Sequence, residues 1–104
     1  MTDEILLQRG TTLVRRLRLE PDEAMPWHHD PFHRVTVILS GNALAIEFRD
    51  GEANQSFAIK PGQVDWDEPT ERVHRGVNVG DHPYEEITVF FLNHSDDIPQ
   101  PRGE

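Results

Sequence analysis

The sequence contains no cysteine among its 104 residues. A disulfide framework, a zinc ribbon and a thiol nucleophile are therefore excluded, and a metal ion could be held only by histidine, aspartate or glutamate. Long apolar runs are also missing, since no stretch approaches the roughly 20 residues that a membrane-spanning helix needs. The N-terminal segment MTDEILLQRG has acids where a secretory signal has its basic region. We therefore expect a cytoplasmic protein that does not bind membranes.

Basic residues are scarce relative to acidic ones. Ten lysines and arginines stand against 19 aspartates and glutamates, which gives a formal net charge of −9 at pH 7. Nucleic acids and anionic membranes both require a basic footprint, so the charge balance argues against either partner. The one basic cluster, Arg15, Arg16 and Arg18, lies in a predicted strand. We interpret it as a solvated or dimer-facing edge.

Sustained helical periodicity is absent as well. Short runs rich in valine, isoleucine, leucine, threonine and phenylalanine alternate with Gly, Pro and Asp turn signals, which is typical of an all-β sandwich or barrel. A chain of 104 residues with 36% hydrophobic content suits one core. We predict a single domain over residues 1–104, with the barrel core at about 11–93 and a weakly ordered tail at 94–104.

Two of the predicted strands are apolar on both faces. Residues 35–39 and 87–92 lack the polar–apolar alternation of a half-exposed strand. Such strands are typical of positions covered on both sides, so we expect them to be buried between two sheets. In contrast, Leu44, Ile46 and Phe48 alternate with polar neighbours and should share one face.

Side chains that could bind a metal ion or a ligand are concentrated in two segments. The first segment is residues 25–41. In an extended chain His28 and Asp30 project to the same face and can converge on one ion, whereas His29 points the other way. The step into Pro31 forces an extended backbone and can redirect the chain. His33 could therefore also turn inward.

In the second segment, residues 69–78, a histidine, a glycine and an asparagine share one strand face. Gly76 leaves space between His74 and Asn78, which suits a wall that contacts a ligand, although it could equally mark a bulge. Asn78 itself could orient a ligand or satisfy buried backbone groups.

The two segments resemble the two sequence motifs of the cupin family. The first motif is Gly-x5-His-x-His-x3,4-Glu-x6-Gly, and its spacing is followed here by His28, Asp30, Arg34 and Gly41. The resemblance covers roughly residues 20–92. It implies a small single-domain cupin with an all-β, double-stranded β-helix fold, a jelly-roll-like cupin barrel with a pocket between its sheets.

The second cupin motif is Gly-x5-Pro-x-Gly-x2-His-x3-Asn. It is matched by Gly62, Pro69, His74 and Asn78, with one extra residue between Gly62 and Pro69. Cupins often pair through edge strands or N-terminal segments, so the resemblance also implies a homodimer, with the strand predicted at residues 11–19 as the N-terminal segment.

The first motif departs from the family pattern at two ligand positions. Asp30 stands where the family has its second histidine, and Arg34 stands where it has glutamate. The resemblance therefore implies a metal site of His28, Asp30 and His74, and an exchange of ligand types would add His33. This donor set suits a divalent transition metal: Fe, Mn, Ni or Zn.

Arg34 cannot be a ligand, and its charge opposes a metal ion. At about 6 Å and an effective dielectric constant of roughly 20, the repulsion is on the order of 5 kcal/mol. Arg34 could turn to solvent or pair with an acid; otherwise it favours a carboxylate or phosphate ligand. The leading interpretation is a small cupin that binds a divalent metal ion and a small carboxylate-bearing metabolite, with Arg34 and Asn78 as substrate-binding residues.

The sequence does not decide whether the protein is an enzyme. A metal-dependent oxygenase or isomerase would use Lewis-acid activation or oxygen chemistry with iron. The alternative is a metal-free sensing or binding cupin in which Arg34, His28 and His74 hold a small anion without catalysis. A third interpretation is a purely structural dimer module.

Overall fold

The structure is a computed structural model that describes residues 1–93, so the predicted tail at 94–104 lies outside the described residues. Within this part the regular elements are all strands, and no helix is long and apolar enough to cross a membrane. The strands are β1 (Thr2–Arg9), β2 (Thr12–Leu19), β3 (His28–Asp30), β4 (His33–Ser40), β5 (Ala43–Phe48), β6 (Gln55–Ala58), β7 (Val64–Asp67), β8 (Thr70–Asn78) and β9 (Tyr84–Phe91).

The strands form two sheets whose inner faces pack together. One sheet has five strands in the order β1-β2-β9-β4-β7, and the other has four in the order β3-β8-β5-β6. Neighbouring strands are antiparallel, and several neighbours are distant in sequence. This topology confirms the predicted double-stranded β-helix, although the two sheets do not close into a continuous barrel. Gly41 and Gly62, two of the motif glycines, have φ values of 119° and 88°, which suit glycine in the turns beside β4 and β7.

The five-stranded sheet begins earlier than the predicted core. β1 pairs with β2 along its length, with an irregularity between Ile5 and Leu7. β2 is therefore bonded on both sides, by β1 and β9, and the edge is β1. The basic cluster Arg15, Arg16 and Arg18, interpreted as a solvated or dimer-facing edge, therefore does not lie at the edge of the sheet. Of its three arginines, Arg15 is buried, where it pairs with Asp3 at 3.3 Å.

The core lies between the sheets because alternation turns every second residue of the long strands inward. Along β2 the inward positions include leucines that are at most 1% exposed. Burial of such a side chain contributes about 1.5–3 kcal/mol. The buried residues form two clusters: Leu17, Leu19, Met25, Ile38 and Tyr84 in one, and Leu13, Phe32, Phe90 and Leu92 in the other.

The outer face of the five-stranded sheet has no cover within residues 1–93. Val35 and Val37 of β4, and Ile87 and Val89 of β9, occupy the positions that alternate with the buried ones. Their side chains therefore point away from the core. The expectation that both faces of these strands are buried is wrong as far as residues 1–93 are concerned.

Candidate metal centre

His28, Asp30 and His74 meet where β3 pairs with β8. His28 lies directly opposite His74 in the strand register, with ring centroids 4.7 Å apart. Nε2 of His74 lies 2.9 Å from Oδ2 of Asp30, and Nε2 of His28 lies 3.4 Å from the same oxygen. One ligand atom from each residue falls within 4.8 Å of the other two. The three side chains thus converge on one point, and His28 and Asp30 share a face as their spacing predicts.

Backbone carbonyl groups orient both imidazole rings. Nδ1 of His28 donates to the carbonyl of Pro26 at 2.8 Å, and Nδ1 of His74 donates to the carbonyl of Arg72 at 2.8 Å. A carbonyl oxygen can only accept, so each Nδ1 must carry the hydrogen. A neutral ring then has its lone pair on Nε2, the atom that faces Asp30, and only a ring with a second hydrogen on Nε2 can donate a hydrogen bond to Asp30. Histidines that ligate metals are commonly oriented in this way.

Asp30 is buried, yet its surroundings favour the ionised carboxylate. Burial by itself raises the pKa of Asp30, but hydrogen bonds from His28 and His74 and the charge of Arg34 outweigh burial and hold that pKa far below its usual range. The guanidinium of Arg34 lies 3.3 Å from Oδ2. The imidazoles of His28 and His74 and the guanidinium of Arg34 therefore all lie close to the same carboxylate oxygen, Oδ2 of Asp30.

Arg34 is largely buried and pairs with an acid, one of the options its sequence position left open. Besides Asp30, it donates to the backbone carbonyl of Glu68 at 3.4 Å. Its strand partner is Asp67. Burial raises the pKa of Asp67, and the positive charge of Arg34 lowers it. The negative charge of the neighbouring Asp65 raises this pKa further. The guanidinium thus stands among carboxylates rather than in solvent.

The three converging side chains line a cavity of about 500 Å³ formed by residues of both sheets. A cavity of this size can hold a small metabolite. Leu44, Ile46 and Phe48 of β5 line it, in agreement with their predicted common face. Gly76 also lines it, without a bulge in the β5–β8 register; a Cβ there would lie 3.0 Å from Cε of Met25, so the glycine accommodates Met25.

Acidic residues on the opposite wall were not identified from the sequence. Asp65, Asp67 and Glu86 all line the cavity. Glu86 is buried and accepts hydrogen bonds from the hydroxyls of Tyr84, at 2.8 Å, and Thr88. The signal for these residues was a local inversion of the alternation: Asp65, Asp67, Glu86 and Thr88 face inward, whereas their apolar neighbours Val64, Trp66, Ile87 and Val89 face outward.

The structure does not bring His33 to the other three side chains. Phe32 takes the inward position after Pro31 and packs in the core. By alternation, His33 then faces outward. Its Nδ1 lies 2.9 Å from the Glu68 carboxylate, and its ring stacks on Trp66.

Asn78 is fully buried, and its amide bonds to the backbone. Its Nδ2 donates to the carbonyls of Leu19 at 3.1 Å and His82 at 2.8 Å. Its Oδ1 accepts from the N–H of Gly80 at 3.0 Å. Both amide hydrogens are used, so Asn78 has no donor left for a ligand.

Replacing Asn78 by alanine is expected to lower the free energy of unfolding by about 3 kcal/mol or more, because two carbonyls and one N–H lose their partners at about 1–3 kcal/mol each. Denaturant unfolding measures the change. Asn54→Ala, in an exposed loop, is the control and should cost less than about 0.5 kcal/mol. Equal costs for the two variants would contradict the structural role of Asn78.

No family model matches the sequence, and a search of the curated proteins finds no match. Solved structures do match. A cupin domain from Bordetella pertussis Tohama I is 17% identical, with a TM-score of 0.74 over 86% of this chain and 90% of that chain. A protein with a double-stranded β-helix domain from Klebsiella pneumoniae subsp. pneumoniae MGH 78578 is 18% identical, with a TM-score of 0.68 over 99% of this chain and 84% of that one.

An oxalate oxidase, solved in complex with the substrate analogue glycolate, is also similar. It is 18% identical, with a TM-score of 0.62 over 82% of this chain and 44% of the oxidase. The chain therefore corresponds to less than half of that enzyme. Similarity at such identities establishes the fold. This chain has the double-stranded β-helix fold of small single-domain cupins.

Proposed function

We propose that this cupin binds a divalent transition-metal ion (Fe, Mn, Ni or Zn) through Nε2 of His28, Nε2 of His74 and the carboxylate of Asp30. The orientation of the two rings carries the proposal. With each Nδ1–H held by a carbonyl, neutral rings direct two lone pairs at an anionic acceptor. Such an arrangement is unfavourable unless protons on the rings or a cation lie between these atoms. One metal ion would satisfy all three groups.

The donor set fits an ion that also contacts a substrate. Two imidazoles and one carboxylate are three protein ligands, the number typical of catalytic sites, whereas structural sites are closed by four. The adjoining cavity of about 500 Å³ supplies room for a ligand. When bound, the ion would supply Lewis-acid activation or, with iron, oxygen chemistry. Oxygenase and isomerase reactions could both use such a site, and the fold does not select between them.

A small carboxylate-bearing metabolite is the ligand class that we propose for the cavity. When Asp30 is ligated to a cation, Arg34 shares this carboxylate with the metal ion. Its guanidinium then becomes available to the carboxylate of a ligand, which it can bind with two parallel hydrogen bonds. Glycolate bound to the similar oxalate oxidase is a ligand of this class. Asn78 is not part of this proposal because its amide bonds to the backbone.

The metal-free alternative, in which Arg34, His28 and His74 hold a small anion, is less favoured by the charges. The carboxylates of Asp30, Asp65, Asp67 and Glu86 all line the same cavity. Arg34 is already paired with one of them. An anion without a metal ion would therefore enter a cavity that is acidic on balance.

Metal titration tests the proposal. Protein purified without chelator is analysed for its elements, stripped, and titrated at pH 7 with Mn²⁺, Ni²⁺, Zn²⁺ and, without oxygen, Fe²⁺. We expect one ion per chain with a Kd of about 1 μM or lower for at least one metal. Absence of saturable binding for all four metals would overturn the proposal.

A further inference from the structure

The cavity beside the metal centre has two unlike walls. Besides the proposed metal ligands, the four-stranded sheet contributes apolar side chains from β5 and β6: Leu44, Ile46, Phe48 and Phe57. The five-stranded sheet contributes three carboxylates, those of Asp65, Asp67 and Glu86. A ligand that fills this cavity therefore contacts an apolar wall on one side and an acidic wall on the other.

The apolar wall is not fully covered by the rest of residues 1–93. Leu44, Ile46 and Phe48 lie between the sheets but are only half-buried, and Phe57 is 48% exposed. By contrast, the inward leucines of β2 are at most 1% exposed. Apolar side chains between two packed sheets are normally buried almost completely. The accessible apolar wall therefore indicates a ligand with a hydrocarbon part, and it does so independently of any charge in the cavity.

The strand register places the three carboxylates of the acidic wall at increasing distances from Arg34. Asp67 lies opposite Arg34, and Asp65 lies two residues from Asp67 on the same face of β7. Glu86 lies opposite Ile38, four residues along β4 from Arg34. Two residues of an extended strand span about 7 Å. The acidic wall therefore begins beside the proposed carboxylate anchor and extends away from it.

The carboxylates of the acidic wall repel one another. Burial is the largest cause of the raised pKa of Asp67, and the negative charges of Asp65 and Glu86 raise this pKa further. The charge of Arg34 and a hydrogen bond from Thr36 lower it without offsetting the other causes. A positive charge near these carboxylates would relieve their repulsion.

Positive charge in the cavity is concentrated at the metal centre. Among residues 1–93, Arg34 is the only lysine or arginine that lines the cavity, and its guanidinium lies 3.3 Å from Oδ2 of Asp30. A divalent ion would add its two positive charges at the same place. The ion and Arg34 would together carry three positive charges, whereas the four ionised carboxylates that line the cavity carry four negative ones. The uncompensated charge lies on the acidic wall, so a fitting ligand has a positive group at that end.

We propose that the ligand is a zwitterion, an ω-amino acid whose carboxylate binds at the metal ion and Arg34 and whose ammonium group binds between Asp65 and Asp67. Its hydrocarbon chain lies on the apolar wall. An extended chain spans about 3.4 Å for every three bonds, and hydrogen bonds at both ends take up part of the 7 Å span, so roughly four to six bonds separate the charged groups. This inference rests on the proposed function, from which it takes the position of the carboxylate.

Calorimetric titration of the metal-loaded protein tests this inference. The ligands are 4-aminobutanoate, 5-aminopentanoate and 6-aminohexanoate, each compared with the fatty acid of the same chain length, which lacks the ammonium group. We expect at least one amino acid to bind about tenfold or more tightly than its matched fatty acid, because it adds a charge-assisted hydrogen bond to a carboxylate. If the protein binds metal but no amino acid binds more tightly than its matched fatty acid, or no ligand of the series binds, this inference is overturned and the metal site is not. Absence of metal binding overturns the proposed function instead, and the inference falls with it.

Asp65→Asn and Asp67→Asn each remove one charge from the acidic wall at almost constant side-chain volume. Each should weaken binding of the preferred amino acid by about tenfold or more without weakening binding of the matched fatty acid. Glu71→Gln is the matched control, because Glu71 is exposed on β8 and does not line the cavity. Thermal unfolding and metal content show whether each variant is folded and loaded, and two wall variants are used so that one misfolded protein does not decide the result. If the folded wall variants bind the amino acid as tightly as Glu71→Gln does, the acidic wall does not hold the ammonium group and the proposal is overturned.

Discussion

Replacing His74 by alanine is expected to weaken metal binding by about a thousandfold or more. The variant removes one of the three groups that converge at Oδ2 of Asp30, where Nε2 of His74 lies 2.9 Å away. Loss of a residue that merely orients a ligand commonly costs 10–100-fold in affinity, so loss of the ligand should cost more (about a thousandfold). Competition with a chromophoric chelator measures the change. His28→Ala should behave in the same way, because the two rings are placed alike.

Two further histidines provide matched controls. His82 is exposed and pairs with Asp81, and His33 pairs with Glu68 on the outer face. His82→Ala and His33→Ala should both retain wild-type affinity. The His33 variant also tests the sequence-based hypothesis that His33 exchanges roles with Asp30. If His33→Ala lost as much metal affinity as His74→Ala, this result would contradict a site made of His28, Asp30 and His74 alone.

Replacing Arg34 by methionine is expected to strengthen metal binding by about a hundredfold. The guanidinium lies 3.3 Å from Oδ2 of Asp30. An ion about 2 Å beyond that oxygen would stand roughly 5 Å from the guanidinium, and at an effective dielectric constant of about 20 the repulsion is on the order of 5 kcal/mol. Reorientation of Arg34 relieves part of this, so the expected gain is smaller than the roughly 4,000-fold increase in affinity that the full repulsion implies. Methionine retains the apolar packing of the stem.

The stability and ligand affinity of the same variant provide further tests. Without metal, Arg34→Met should lower the free energy of unfolding by about 1–3 kcal/mol, since the buried Asp30 carboxylate loses a charged partner. Loaded with metal, the variant should bind glycolate more weakly than the wild type, because the proposed carboxylate anchor is gone. Arg34→Lys keeps the charge and should stay within about tenfold of wild-type metal affinity. Unchanged or weaker metal binding by Arg34→Met would contradict the electrostatic argument.

The placement of His28 beside Asp30 could be predicted from the sequence because local geometry determines it. His28 and Asp30 are two residues apart in an extended segment, so they share a face whatever the rest of the chain does. Family-like spacing then pairs this segment with His74. The position of His33 could not be predicted, because it depends on which residue after Pro31 enters the core. Phe32 does so, being larger and apolar.

Contacts between strands were harder to predict than strand identity. The pairing of Arg34 with Asp30 depends on how the chain turns between β3 and β4, which the spacing of residues does not show. For the strands apolar on both faces, alternation cannot tell which face meets the core. The sequence therefore indicated cover on both sides, whereas residues 1–93 bury only the face that also carries Thr36, Thr88 and Glu86.

Anomalous X-ray diffraction from crystals grown with Mn²⁺ tests the metal centre most directly. We expect a peak about 2.0–2.3 Å from Nε2 of His28, Nε2 of His74 and a carboxylate oxygen of Asp30. A saturated crystal with no peak at these three atoms, or with its peak at another site such as His33 and Glu68, would contradict it.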